Sequence, residues 1–372
     1  MKRTLNDITG PKKQLKAVKS AIKKQIENVS DKAASTDDTT PAKVPRITSE
    51  TISEHREDVL KSARKYIYPL QQSKNKIVII TTSLVLLLVV GFFTYCTLAL
   101  YKFNNTSTFI YRVTQVIPFP VARVNGRFVS YESYLFELEH YIHYYQAEEG
   151  VNFNTQAGKQ QLNYYEKLAL NEVVDNVYVQ ELASQNHITV SNEQINNAIS
   201  VFRQQNRLGS SDTEFNSVLK TYYGWSVDDY KRELKNNLLK QNVVAVLDTA
   251  TQSKAKSILN QLTSGSDFAT LASQYSDDTA TKNNGGQYGY SITQSTINIP
   301  PQVIAALFSI KQGELTGIIN DSPTSASLEI DKNISDQNGQ IQAAHILFNF
   351  QPVDNYVNPL KQKQPATTYI SN

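Results

Sequence analysis

One stretch of the chain is apolar over its whole length, whereas elsewhere apolar and polar positions alternate. Residues 77–100 hold 24 positions without a charge, and about 20 apolar residues let a helix cross a bilayer. A helix also satisfies its own backbone hydrogen bonds in lipid. A cleaved signal peptide would be shorter and nearer the N-terminus, and a buried core helix rarely runs this far without a charge. We therefore predict a single transmembrane helix at 77–100.

Beyond this run, apolar residues recur mainly with the 3.6-residue period of helices. Residues 121–128 instead predict a short strand ending in a turn at Asn125-Gly126. Serine residues precede three of the helical patterns, where a side-chain oxygen can cap the first turn. The predicted helices begin at Ser130, near Gln156, at Ser191, near Asp212 and at Ser226. Residues 121–250 are therefore predicted to form a helical domain.

Residues 251–350 mix helical and strand patterns. A helix is predicted from 253, with a break at Gly265, and another near 300–310, with a glycine-rich loop at 285–289 between them. Residues 341–350 alternate as a strand, which places Ala343, His345 and Leu347 on one face. The chain is therefore predicted to be an α+β multidomain protein whose residues 351–372 form a flexible tail.

The charge is distributed unevenly along the chain. Residues 1–75 hold 16 Lys and Arg against 9 Asp and Glu, a net charge of +7, whereas residues 101–372 hold 20 against 25, a net charge of −5. Positive segments stay in the cytoplasm, so the C-terminal domains are predicted to be extracytoplasmic. Residues 1–75 are interpreted as a basic, largely disordered cytoplasmic tail, with a helix at 49–67 that either lies on lipid head groups or is solvated.

Cysteine and histidine offer little to a metal. The one cysteine, Cys96, lies in the apolar run, so no intrachain disulfide is available. His140 and His143 are three residues apart on a tyrosine-rich helix without a nearby third ligand. We expect no metal and no cofactor. We also expect no nucleic-acid partner, because no aromatic residues are interleaved with the basic ones in the tail.

The order of elements in 121–250 resembles the SurA-like chaperone domain of extracytoplasmic foldases. The resemblance is carried by VARVNG at the start, ITVSNEQINNAI in the middle and YYGWSVDDYKRELKNNLLKQNVV at the end. It implies that this domain holds unfolded polypeptide segments.

Residues 251–350 resemble the parvulin-type peptidyl-prolyl isomerases, also found in SurA-like and PrsA-like foldases. The matching series is SDFATLASQYSDD, NGGQYG and KQGEL. The family's first strand, which contains His-Ile-Leu, is missing before residue 253, but AAHILF occurs at 343–348. Either the domain is circularly permuted, with its closing strand at 341–350, or a second, truncated repeat begins there.

The parvulin resemblance implies a site of two histidines, a Cys or Asp between them and an apolar pocket. His345 matches the first histidine and Asp278 the Cys/Asp position, so these are the candidate catalytic residues. The candidate substrate-binding residues are Tyr288, Ile299, Val303 and Phe308. The second histidine is expected near 324–328, where the chain has TSASL and no histidine.

Three functions follow as hypotheses. The first is a membrane-anchored isomerase and foldase whose partners are membrane lipid and unfolded or proline-containing exported polypeptides. The second is a non-catalytic chaperone with a degenerate isomerase site. The third is a scaffold protein of the cell envelope.

Overall fold

The structure is a computed structural model that describes residues 48–67, 74–208, 211–322 and 326–370. Residues 1–47 and 68–73 of the predicted disordered tail lie outside these ranges. The chain divides into two compact units, residues 1–87 and 88–372.

The described residues of the first unit contain two helical segments. Helix α1 spans Ser49–Ile67 and leaves Ile52, Val59 and Leu60 exposed. Helix α2 spans Lys74–Tyr101 and continues into the second unit. Among the described residues, one helix, Lys76–Tyr101, is long and apolar enough to cross a membrane, judged by its length and composition.

The helical part of the second unit follows the predicted order. Its elements are α3 Thr108–Val116, β1 Pro120–Val124, β2 Arg127–Ser130, α4 Tyr131–Ala147, α5 Gln156–Gln185, α6 Asn192–Gln205, α7 Asp212–Val218, a π-helical turn Leu219–Tyr223 and α8 Val227–Leu247. Ser130, Ser191 and Ser226 cap α4, α6 and α8, and the last two form reciprocal capping boxes with Gln194 and Asp229. The three predicted caps are confirmed. They could be predicted because a cap depends only on residues close together in sequence.

The next elements form a small antiparallel sheet with helices on both faces. They are α9 Thr249–Thr263, α10 Phe268–Tyr275, a 3-10 turn Lys282–Asn284, α11 Pro301–Ser309, β3 Ile319–Asn320, β4 Ser327–Gln337 and β5 Gln340–Asn349. Helix α12 Asp354–Lys363 and strand β6 Thr367–Thr368 follow, and β6 belongs to a separate sheet of order β2-β1-β6. The strand order of the small sheet is β3-β4-β5. The other edge of β5 is paired too, since Gln287 and Ile292 bridge to it.

Two apolar layers sandwich this sheet. On one face, Ile330 and Ile346 pack with α9 and α10. On the other face, Ile341 and Ala343 pack with Ile292 and with α11. His345 is two residues from Ala343 along β5, so its side chain points to the same face of the sheet, the one covered by α11.

The prediction of a flexible tail at 351–372 is wrong for the described residues. Helix α12 packs on α5, where Lys361 Nζ lies 2.6 Å from Asp175 Oδ1 and Tyr178 Oη donates to the carbonyl of Gln364. Strand β6 then pairs antiparallel with β1. The partners of this segment lie 186 residues or more upstream, so its polar local sequence gave no sign of them.

Candidate active site on the final long strand

His345 lies at the centre of a polar network on β5. Its Nε2 is 2.8 Å from Oδ2 of Asp278 and 3.0 Å from Oγ1 of Thr281. Its Nδ1 is 3.3 Å from Oε2 of Glu329 on β4. The two predicted catalytic residues are therefore in direct contact, although 67 positions separate them in sequence.

Asp278 lies in the turn that follows α10. Burial by itself raises the pKa of its carboxyl group, but hydrogen bonds from Thr281, His345 and the Ala280 amide outweigh that effect and lower the pKa below its ordinary value. Asp278 is therefore an anion at neutral pH. An anion at this distance favours a hydrogen on Nε2 of His345 and fixes the orientation of the ring.

Backbone hydrogen bonds from the segment between α10 and α11 fix the position of β5 around His345. The His345 amide donates to the carbonyl of Gly286 at 2.8 Å, and the Asp277 amide donates to the carbonyl of Leu347 at 2.8 Å. A Cβ at Gly286 would lie 2.3 Å from the His345 carbonyl oxygen, and Gly286 has φ +79°. The glycine-rich loop therefore positions the strand through close backbone contact.

Two buried carboxyl groups on β4 extend the network, and the sequence analysis missed both. Asp331 pairs with His345 across the strands and accepts a 3.0 Å hydrogen bond from Tyr288 Oη. Burial, followed by the charge of Asp321, raises the pKa of Glu329 to about 8. Burial, followed by the charge of Glu329, holds the pKa of Asp331 well above its usual range.

The structure brings the predicted substrate-binding residues to the same face of the sheet. The Tyr288 ring lies 4.4 Å from the His345 ring, measured between centroids. Ile299 and Val303 are buried in the apolar cluster beneath α11, with Tyr288 and Phe308 half-buried at its margin. A client proline therefore has no exposed surface of Ile299 or Val303 to contact without side-chain movement.

The place expected for the second histidine is partly described. Residues 324 and 325 lie outside the described ranges. Ser327, at the start of β4, donates a hydrogen bond from Oγ to Oδ2 of Asp321 at 2.7 Å. Glu329, two residues further on the same strand face, is the group that contacts His345 Nδ1 instead.

His140 and His143 are accounted for by backbone contacts. His143 Nε2 lies 2.9 Å from the carbonyl oxygen of Thr221, and the His140 ring stacks on Trp225 at 4.3 Å. The two rings thus pack on the π-helical turn and on the segment that joins it to α8.

Comparison with known proteins assigns both folded parts to families. Residues 241–331 match the Rotamase family model, described as a PPIC-type PPIASE domain, and residues 70–244 match the SurA-like N-terminal domain. The chain therefore contains a parvulin-type rotamase domain joined to a SurA-like N-terminal domain. The rotamase match ends before β5, so it does not include His345.

Individual relatives point the same way. The chain is 37% identical over 98 residues to the foldase protein PrsA of Caldanaerobacter subterraneus subsp. tengcongensis, covering 26% of this chain and 28% of the relative. It is 29% identical to the foldase protein PrsA 1 of Lactobacillus johnsonii, covering 36% and 51%. It is 28% identical to the parvulin-like PPIase of Rickettsia prowazekii, covering 40% and 52%. The chain thus spans about half or less of the length of these relatives.

Among solved structures, a peptidylprolyl isomerase (PrsA) from Bacillus anthracis covers 52% of this chain and 86% of its own, at 19% identity. Its TM-score is 0.17, so this likeness carries no argument about the arrangement of the domains.

Proposed function

We propose that this protein is a membrane-anchored, extracytoplasmic peptidyl-prolyl isomerase that assists the folding of exported polypeptides. The observation that carries the proposal is the direct contact between His345 and Asp278 beside Tyr288. The parvulin-type and SurA-like domains support the same reading.

The chemistry needs no covalent step. Rotation about an X–Pro bond must pass a barrier of roughly 18–20 kcal/mol that amide resonance sets. An enzyme lowers this barrier by binding the twisted amide better than the planar one. Here the Asp278–His345–Thr281 network offers fixed polar groups, and the Tyr288 ring offers a surface for the proline ring.

We also propose that the isomerase domain is circularly permuted. Strand β5 arrives last in the sheet yet is paired on both sides, as an interior strand is. In an unpermuted domain this strand would precede α9, but here α8 leads directly into α9 without a strand between them. A truncated second repeat would instead have left β5 outside this sheet.

The anchor is proposed to be α2, with the basic tail in the cytoplasm. Tyr131 Oη donates to the carbonyl of Leu100 at 2.8 Å, so the end of α2 is fixed to the chaperone domain. Alkaline carbonate extraction tests the anchor: the full chain should stay with membranes, whereas a chain starting at 103 should be released. Release of the full chain would contradict the proposal.

A proline-limited refolding assay tests the isomerase. The full chain in detergent micelles should accelerate the slow refolding phase of a client whose folding is limited by isomerisation of an X–Pro bond. Asp278→Ala and His345→Ala should each reduce this rate enhancement about tenfold or more. Equal rates with and without the protein would remove the catalytic proposal.

A non-catalytic chaperone is the second candidate, and the burial of Ile299 and Val303 favours it. This candidate predicts suppression of client aggregation that survives His345→Ala unchanged, with no effect on proline-limited folding. If the protein affects neither folding nor aggregation, the scaffold hypothesis is the one that stays.

A further inference from the structure

Three potential metal ligands converge inside the isomerase domain. One ligand atom each of Glu329, Asp331 and His345 lies within 4.8 Å of the other two. Glu329 and Asp331 are on β4, and His345 is the cross-strand partner of Asp331 on β5. All three residues are buried, with 3%, 0% and 8% of their surface exposed.

Two oxygen atoms of this cluster lack the partners that burial demands. Oε1 of Glu329 and Oδ2 of Asp331 are inaccessible, and no N–H or O–H group of another described residue donates a hydrogen bond to either oxygen. The two carboxyl groups hydrogen-bond to each other only when one of them is protonated. A buried carboxylate costs several kcal/mol unless it is paired, protonated or bound to a cation. Lysine and arginine side chains do not fill this role among the described ion pairs, in which Glu329 contacts His345 alone.

We propose that Glu329, Asp331 and His345 form a binding site for a divalent transition-metal cation of the zinc class. A dication and two carboxylates sum to zero charge, so the buried cluster becomes neutral. The mixture of one imidazole and two carboxylates suits Zn²⁺ better than Mg²⁺, which prefers oxygen ligands and keeps its waters.

The geometry is close to what such an ion needs. Zinc bonds of about 2.1 Å in a tetrahedral arrangement place ligand atoms about 3.4 Å apart. His345 Nδ1 and Glu329 Oε2 are already 3.3 Å apart. Zinc binding would therefore mainly require the Asp331 carboxylate to move closer to the other two ligand atoms.

Asp278 completes the arrangement from the opposite side of the ring. Metal-bound histidines usually give their other N–H to a carboxylate, which orients the ring and strengthens its donor nitrogen. Asp278 Oδ2, 2.8 Å from His345 Nε2, is placed for this role. The site thus shares His345 with the proposed isomerase cleft, but zinc binding does not require isomerase activity.

Metal content and metal-dependent stability test the proposal without any activity assay. Untagged full-length protein in detergent would be dialysed against Zn²⁺, and bound zinc would be counted by elemental analysis and its affinity measured by calorimetry. We expect one zinc per chain, a higher thermal midpoint with zinc, and weaker binding of Mg²⁺. Asp331→Asn and Glu329→Gln should weaken zinc binding at least tenfold, and Asp278→Asn by about 10–100-fold.

Glu137→Gln, which alters a buried carboxyl group in the helical domain, serves as the matched control and should bind zinc like the unaltered chain. Circular dichroism establishes that each variant is folded, and Glu329→Gln stands in if Asp331→Asn does not fold. The proposal is overturned if the unaltered chain binds no zinc, which would leave protons as the neutralising species. It is equally overturned if the Asp331→Asn or Glu329→Gln chains bind zinc as tightly as the unaltered chain does.

Discussion

At the scale of single residues, Gly286 determines whether the loop can approach β5. Alanine at this position would bring a Cβ to 2.3 Å from the His345 carbonyl oxygen and adopt φ +79°. We expect Gly286→Ala to destabilise the isomerase domain by roughly 2 kcal/mol or more, measured as a shift of the chemical-unfolding midpoint.

Gly313→Ala is the matched control for that change. Gly313 has φ +87°, but nothing lies within 4 Å of an added Cβ. Gly313→Ala should therefore lower the free energy of unfolding only by the backbone strain, roughly 1 kcal/mol. Equal costs at the two glycines would show that close backbone contact with β5 is unimportant.

Glu137 on α4 makes stability depend on pH in the helical domain. Burial, followed by the charges of Glu233 and Glu172, raises its pKa from 4.5 to about 9, and Lys240 lowers it in part. Between these values the folded state keeps a proton that the unfolded chain has released. The contribution of Glu137 to stability should therefore be greatest below the lower value and fall as pH rises through the window, by up to about 1.4 kcal/mol per pH unit.

Glu137→Gln is neutral at every pH and should remove this slope. Thermal midpoints of both chains, measured in detergent across the window, give the comparison. Parallel curves for the two proteins would mean that Glu137 ionises normally in the folded chain.

Residue-level prediction from the sequence was possible where a family motif or a local cap specified the residue. Asp278 and His345 were chosen through the parvulin resemblance, and they lie 2.8 Å apart; their catalytic role stays a prediction. Glu329 and Asp331 were missed because SLEID alternates polar and apolar residues, a pattern whose polar face is normally exposed, whereas in β4 that face is buried. Those polar residues face the site, and only the pairing of β4 with β5 reveals their proximity to His345.

At the scale of elements, β5 is the strand on which the isomerase domain depends. It pairs with β4 along its length and contributes Ile346 and Phe348 to the core on one face. Truncation after residue 337 should expose the amides of β4 to hydrogen exchange, because β4 loses its long partner.

Truncation after residue 350 provides the control for β5, since it removes α12 and β6 but keeps the strand. We expect β4 to stay protected in this shorter truncation. Protection of β4 in both chains would show that β5 is dispensable to the sheet, as the truncated-repeat reading requires.

Elements were predicted well where their signals were local and poorly where their partners were distant. The caps at Ser191 and Ser226 and the turn at Asn125-Gly126 depend on neighbouring residues, and all three are present. Helix α12 contains Pro359 and is largely polar, so its sequence resembled a loop. Its contacts with Asp175 and Tyr178 on α5 are tertiary, and tertiary contacts override local propensity.

At the scale of the whole molecule, the C-terminal segment connects the two folded parts of the second unit. After β5 completes the isomerase sheet, α12 and β6 return to the helical domain. Val357 of α12 and Ile370, just after β6, join the core of that domain. The chain therefore enters the isomerase domain from α8 and leaves it through α12, both of which pack on α5. The proposed client binding and the proposed isomerisation would therefore take place on a connected scaffold.

A double-mutant cycle tests the central claim most directly, namely that Asp278 and His345, which lies on the C-terminal strand of the sheet, act as one catalytic pair. The measured quantity is kcat/KM for isomerisation of a proline peptide by the full chain and by its Asp278→Ala, His345→Ala and doubly substituted variants. Residues acting as a unit give non-additive losses, so the double variant should be no slower than the worse single one. Losses that multiply, or single variants as active as the unaltered chain, would contradict the account.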